Sequence, residues 1–321
     1  MKRNAIRLLA WALALAAVLP LPAAASGYLS TSVIKLNSPP VAEDLSFETY
    51  AGVPRTGDLT ALDPEGDPVT FSITKEPRKG TVTVEGGTFT YTPRDGKTGR
   101  DTFKYAAADE VGNVSKEATV TITIKKRQTQ VSYSDLEGRS CAYAAAYLAE
   151  AGVFTGEQVG GSWLFRPDET VTRGEFLSMC MVITGSKAAG GITRTGFADD
   201  SDIPAWQKPW VAAAVMGKVI SGARTDSGTL VFSPNRPINR AEAAVMLNNA
   251  IGVTDVTGTE EEAWPVWASQ AAANLSSVRV MNTGLGYEGQ ITRAEAAEML
   301  MKAAELIAAR SAKRSLLSWA K

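Results

Sequence analysis

The chain has 321 residues, 33 basic against 34 acidic for a net charge of −1, two cysteines and no histidine. Its 45% apolar and 21% charged residues exclude global disorder, and its length suggests two or three domains. Without histidine there is no Ser-His-Asp or Cys-His nucleophile, no HExxH zinc site and no imidazole proton shuttle, so catalysis is disfavoured although carboxylate, lysine or tyrosine chemistry stays open.

Lys2, Arg3 and Arg7 precede an apolar run of 12 residues, Leu8 to Leu19, and then Ala23-Ala24-Ala25-Ser26. A basic start, a short apolar stretch and small residues at an A-x-A-type site predict a signal peptide over 1–25, cut after Ala25 or nearby. The run is too short for a span, which needs ~20 apolar residues, and no later segment is longer, so no transmembrane anchor is expected. Removing the three basic residues takes the net charge to −4. A mildly acidic exported chain is a poor partner for nucleic acid or anionic lipid. Residues 26–36 read as an N-terminal linker.

From 37 to 125 the sequence is rich in Thr, Val, Pro and Gly. Val120, Ile122 and Ile124 alternate with Thr119, Thr121 and Thr123, the period of a strand with one apolar face. Val82 and Val84 lead into Gly86-Gly87, and Phe89 and Tyr91 follow, a tight hairpin whose turn takes positive φ. With Val69-Phe71-Ile73 and Phe103-Tyr105 the pattern predicts an antiparallel β-sandwich. The segments Asn37 to Ala42, Asp63-Pro64-Glu65-Gly66-Asp67-Pro68, Lys79 to Val82, Phe89 to Pro93, Gly99 to Tyr105 and Asp109 to Asn113 resemble the bacterial Ig-like and cadherin-like repeats of surface proteins. The resemblance implies a spacer or adhesive module. Asp63, Glu65, Asp67 and Asp109 could offer hard oxygen ligands to calcium, as related modules do, or could simply be solvated turn carboxylates. Calcium is therefore the one candidate cofactor, and none is required. Residues 126–131, Lys-Arg-Gln-Thr-Gln-Val, read as a polar linker.

Beyond 131 the spacing becomes helical and repeats. Thr172-Arg173-Gly174-Glu175, Asn239-Arg240-Ala241-Glu242 and Thr292-Arg293-Ala294-Glu295 each open an amphipathic stripe. Its members are Phe176, Met179, Cys180 and Ile183; Ala243, Met246, Leu247 and Ala250; and Ala296, Met299, Leu300 and Ala303. Cys180 stands where the other copies have leucine, so both Cys180 and Cys141 are expected as core thiols rather than a bridge. Thr172, Asn239 and Thr292 are N-cap residues, and Glu175, Glu242 and Glu295 close capping boxes. Capping does not call for arginine at the first helical position, where the helix dipole disfavours a cation. Arg173, Arg240 and Arg293 beside free N–H groups would instead suit a carboxylate or phosphate ligand. Gly185 and Gly252, each twelve residues after its arginine, are expected C-caps, and the third helix should run to about Ala309. Trp206/Trp210 and Trp264/Trp267 form two local pairs, equally suited to core packing or to stacking on a sugar; Trp206, Trp210 and Trp264 join the candidate site.

Three copies, over 132–184, 197–252 and 255–309, are similar to S-layer homology (SLH) domains. The features that carry this are the Tyr133-Ser134-Asp135 and Phe197-Ala198-Asp199 openings, Gly-flanked loops, Phe165-Arg166-Pro167 and Phe232-Ser233-Pro234, and the tripled signature. The third copy departs, with Leu285 for the phenylalanine. The resemblance implies an all-α pseudo-trimer whose grooves bind anionic, often pyruvylated, secondary cell-wall polysaccharide linked to peptidoglycan, with the signature arginines in the grooves. The expected protein is multidomain: an Ig-like sandwich, the helical triple, and a basic tail over 310–321. It would be a non-catalytic anchor at the bacterial cell wall or S-layer. The alternative is an adhesion or lattice component whose sandwich binds itself or a surface protein. A wall-degrading enzyme is disfavoured, since the acidic cluster Glu260-Glu261-Glu262 sits in a linker-like stretch and glycosidases need two facing carboxylates.

Overall fold

The computed structural model describes residues 37–254 and 264–319, with side chains as far as Ala312. The expected signal peptide, residues 26–36, the Glu260-Glu261-Glu262 cluster and the Trp319 side chain lie outside the described residues.

The first region is built from β1 (Val41–Ala42), β2 (Leu45–Tyr50), β3 (Arg55–Asp58), β4 (Ala61–Leu62), β5 (Thr70–Lys75), β6 (Gly80–Glu85), β7 (Thr88–Pro93), β8 (Gly99–Ala108) and β9 (Ala118–Lys125). One sheet has the order β2-β9-β8-β5, the other β3-β7-β6, and β1 pairs with β4. The inward faces of both sheets supply Phe89, Tyr91, Phe103, Tyr105, Val120, Ile122 and Ile124, all buried, while the intervening threonines of β9 stay partly or fully exposed. Gly86 and Gly87 take φ of 55° and 92° between Glu85 and Thr88, the positive values a two-residue hairpin needs. One departure from the antiparallel expectation is that β2 runs parallel to β9. These strands are far apart in sequence, so no hairpin fixes their direction.

Asp101 anchors the sandwich from within. Its carboxylate accepts from Arg78 N (3.0 Å), Lys79 N (2.7 Å) and the Tyr91 hydroxyl (2.8 Å). Burial alone would raise its pKa, but these hydrogen bonds prevail and hold it below the ordinary aspartate value.

The second region is helical: α1 (Ala142–Glu150), a hairpin of β10 (Glu157–Val159) and β11 (Ser162–Leu164), α2 (Arg173–Ile183), α3 (Lys208–Met216), a hairpin of β12 (Ala223–Arg224) and β13 (Leu230–Val231), α4 (Arg240–Ile251), α5 (Val266–Ser277) and α6 (Arg293–Trp319). The helices pack in cyclic order, α2 on α3, α4 on α5, and α6 back on α1. The apolar stripes read from sequence supply the shared core, including Phe176, Met179, Leu247, Met299 and Leu300. Cys141 and Cys180 are both buried in it as free thiols, and burial pushes both pKa values up. Gly252 ends α4 in the left-handed region (φ 62°). α6 continues past Ala309 to Trp319, so most of the expected tail is helix.

The joint between the regions is not a free tether. Glu150, at the end of α1, accepts from Gln128 N (2.7 Å), Thr129 N (3.1 Å) and Thr129 Oγ1 (2.6 Å), which clamps the segment expected as a linker. Tyr50 stacks on Tyr143 with ring centroids 5.9 Å apart, and Tyr50 and Val53 of the sandwich belong to the helical core. The described residues from Ser38 onward form one compact unit.

Candidate functional site

Each signature tetrapeptide begins where the chain crosses the centre of the helical region. Val171, Ile238 and Ile291, one residue before each N-cap, are buried and bonded in a ring. Ile238 N donates to Val171 O (3.0 Å), Val171 N to Ile291 O (3.1 Å) and Ile291 N to Ile238 O (3.1 Å). The chain then turns outward through capping boxes. Thr172 Oγ1 accepts from Glu175 N (3.3 Å), Asn239 Oδ1 from Glu242 N (2.9 Å) and Thr292 Oγ1 from Glu295 N (3.2 Å). The glutamates accept in return from the cap N–H groups of Thr172 (2.9 Å), Asn239 (3.4 Å) and Thr292 (3.0 Å).

The structure corrects one premise drawn from the sequence. The N–H groups beside the arginines are not free, because the loop of the next copy fills them. Arg173 N and Gly174 N donate to Arg236 O and Pro234 O, each at 2.9 Å. Arg240 N and Ala241 N donate to Gly289 O (2.9 Å) and Tyr287 O (3.2 Å), and Arg293 N and Ala294 N to Glu169 O (2.8 Å) and Pro167 O (3.0 Å). The guanidinium groups reach the same loops. Arg173 Nε donates to Phe232 O (3.0 Å), Arg240 Nη1 to Leu285 O (3.4 Å) and Arg293 Nη1 to Phe165 O (3.3 Å). Each arginine also faces carboxylates: Glu242 at 3.7 Å from Arg173, Glu295 at 2.6 Å from Arg240, and Glu169 (3.1 Å) and Glu157 (3.4 Å) around Arg293. Their side chains are only 12–16% exposed. A fork with five donors can tie a carbonyl and a carboxylate together, which a lysine could not do as well, and this staple is a reason for arginine that capping did not give. Gly289 permits it in the second copy, since a Cβ there would collide with the Arg240 guanidinium.

The opening aspartates brace the loops. Asp135 accepts from Phe165 N (3.0 Å) and Arg166 N (2.7 Å), and Asp199 from Phe232 N (2.9 Å) and Ser233 N (2.6 Å). Phe165 and Phe232 are buried beneath them, whereas Leu285 in the third copy is exposed.

Three grooves follow, one beside each arginine, and they are unequal. The Arg173 groove encloses about 590 Å³ and is lined by Lys218, Ser221, Glu242, Asn249 and Trp267 among others. The Arg240 groove encloses about 70 Å³, beside Asn282, Glu295, Glu298 and Lys302. At Arg293 about 10 Å³ remains, because Phe154 fills the space with its ring centroid 5.3 Å from the guanidinium carbon. Burial lowers the Arg173 pKa, with Glu242 opposing and Arg236 adding to the shift.

The tryptophans divide differently from the expectation. Trp264 is 6% exposed and packs against Tyr287 (6.1 Å), so it is core. Trp210 is half-buried against the core, and Trp206, although exposed, lines none of the three grooves. Trp267, the pair mate of Trp264 and not among the expected site residues, is 59% exposed and lines the Arg173 groove. Trp264 and Trp267 are three residues apart at the start of α5, and periodicity alone did not say which faced inward. Lys218, at φ 59° after α3, carried no sequence signal.

The acidic quartet of the sandwich is not gathered into a metal-holding group; among the described residues no cluster of three or more such side chains occurs. Asp109 Oδ1 accepts from Val111 N (3.0 Å), Gly112 N (2.8 Å) and Asn113 N (2.8 Å). Asp63 Oδ1 accepts from Glu65 N (3.0 Å) and Asp67 N (3.1 Å), and Glu65 holds Ser38. These carboxylates shape their own turns.

Residues 132–177 match the S-layer homology domain. Residues 37–126 match the bacterial cadherin-like domain. The chain is similar to the surface-layer 125 kDa protein of Lysinibacillus sphaericus, 29% identical over 128 residues, covering 40% of this chain and 10% of that protein. It thus spans about one tenth of that relative's length. Likenesses to solved structures are weak. An endo-fucoidan hydrolase of glycoside hydrolase family 107 gives a TM-score of 0.24 at 21% identity, over 28% of this chain and 14% of the other. The SrpA adhesin of Streptococcus sanguinis gives 0.21 at 15% identity, over 30% and 66%. Scores this low carry no weight for fold or activity. The S-layer homology match and the surface-layer relative indicate a cell-surface protein, and the families found are typically non-enzymatic. No helix among the described residues is long and apolar enough to cross a membrane.

Proposed function

We propose that the chain is a non-catalytic anchor, held non-covalently to the bacterial wall by three S-layer homology copies arranged as a pseudo-trimer that bind an anionic secondary cell-wall polysaccharide. The ring of Val171, Ile238 and Ile291 and the cyclic helix packing support the triple unit. The carrying observation is the Arg173 groove, where a guanidinium, the Lys218 ammonium and the exposed Trp267 face line one space of about 590 Å³. Two cations suit an acidic substituent such as a pyruvyl ketal, and an indole face suits the apolar side of a sugar ring. Groove use is unequal in this reading: Arg173 is the principal site, Arg240 a smaller one, and Arg293 a structural staple.

The test is co-sedimentation with purified cell walls before and after chemical removal of their anionic polymer. Binding should vanish with the polymer, and Arg173→Ala should weaken it more than Arg293→Ala does among folded variants. Unchanged binding to stripped walls would sink the proposal.

A further inference from the structure

A second space of about 590 Å³ opens where β2 and β3 of the sandwich face α1, α6 and the end of α5. That volume lies within the range of ligand sites. Its charged lining is Arg55, Arg279 and Lys302 with Asp58, Glu298 and Glu305. Arg55 is 7% exposed, and its buried Nε has no hydrogen-bond partner among the described residues. Arg279 follows α5 at φ 57°, a left-handed conformation for which the first copy uses Gly152 after α1. Arg279 is exposed and lines the cleft. Arg279 and Lys302 form no ion pair among the described residues, whereas Arg55 is matched by Glu305.

The cleft is not isolated. Glu298 and Lys302, four residues apart on α6, line both this space and the Arg240 groove, so the two are neighbours across one helix face. A compact ligand would fill one of them. A chain molecule can occupy both.

We propose that the cleft is a second subsite for an anionic polysaccharide, which runs from the Arg240 groove past Lys302 to Arg279 and Arg55. The sandwich then takes part in wall binding instead of serving only as a spacer. Lys302 and Arg279, neither ion-paired among the described residues, supply the cations along the path, set among the carboxylates of Asp58, Glu298 and Glu305, and Arg55 Nε is an unpartnered buried donor in the cleft wall. This rests on the reading of the helical region as a wall-glycan binder.

The experiment uses the full mature chain and wall polymer released by enzymatic digestion of the peptidoglycan, fractionated into single repeat units and long fragments, with calorimetric titration of each. Arg279→Gly removes the cation while suiting the left-handed backbone, and Thr56→Trp fills the cleft from β3. Single units, held by the Arg173 groove, should bind both variants as they bind the parent. Long fragments should bind the variants about tenfold more weakly, since one linked contact is lost. Equal binding of long fragments by parent and Arg279→Gly overturns the subsite, whether or not Thr56→Trp folds. Failure of every fragment to bind the parent overturns the glycan reading itself, and the subsite with it.

Discussion

The guanidinium carbon of Arg55 lies 4.1 Å from the ring centroid of Tyr143 and 5.5 Å from that of Phe47, so an arginine of the sandwich is held between its own domain and the first helix of the next. Arg55 Nη2 also meets Glu305 at 3.2 Å, and Nη1 meets the Met301 sulfur at 3.7 Å. Desolvated cation–π contacts are worth about 2 kcal/mol. With Tyr50 stacked on the same Tyr143 ring, the two regions should unfold together. Scanning calorimetry of the parent should show one transition. Arg55→Ala should cost about 2 kcal/mol and separate it into two, while two transitions in the parent would show that the domains melt independently.

Arg240 is expected to matter more for stability than Arg173. Its Nη2 lies 2.6 Å from Glu295, against 3.7 Å between Arg173 and Glu242, and it lies against Gly289. Removing a partner from a charged, largely buried hydrogen bond costs about 1–3 kcal/mol. Arg240→Ala should therefore lower the melting temperature by several degrees, at roughly 2–4 °C per kcal/mol for a unit of this size. Arg173→Ala should lower it less and weaken wall binding more. Equal melting of the two variants would contradict the ranking.

Local rules made the elements legible. The threonine alternation of β9, the Gly86-Gly87 hairpin and the capping boxes at Thr172 and Asn239 each depend on residues close in sequence. What could not be read depends on partners far away. The stapling role of the tripled arginine is not legible in sequence because its carbonyl partners, Phe232 O and Leu285 O, are 59 and 45 residues distant. The linker looked loose because Glu150, which holds Thr129, is 21 residues on in another element. Arg55 in a strand gave no hint that it would meet a helix 250 residues later.

Trp264 and Trp267 offer a test of the groove that separates packing from binding. Trp264 is enclosed against Tyr287, and truncating a buried tryptophan costs about 3–5 kcal/mol. Trp267→Ala should leave the melting temperature nearly unchanged and weaken wall binding, since stacking on one ring is worth about 0.5–1.5 kcal/mol. Wall binding by Trp267→Ala equal to the parent would remove this side chain from the site.

The pH dependence of stability should be one-sided. With no histidine in the chain, no side chain of ordinary pKa titrates between pH 5 and 8, and the folded state should be nearly indifferent to pH in that range. Asp101 and Glu150 both have folded pKa values below their ordinary ones; burial opposes the shift in each, and the hydrogen bonds they accept outweigh it. A depressed carboxyl stabilises the fold fully above its unfolded pKa, and that contribution is lost as pH falls through the folded value. Stability should thus decline below about pH 4–5, where these carboxyls begin to take up protons in the unfolded chain. Asp101→Asn should be less stable than the parent at pH 7, with a gap that narrows toward pH 3. Chemical denaturation at both pH values measures that gap, and a gap independent of pH would mean that the Asp101 charge has no part in holding Tyr91 and the β5–β6 connection.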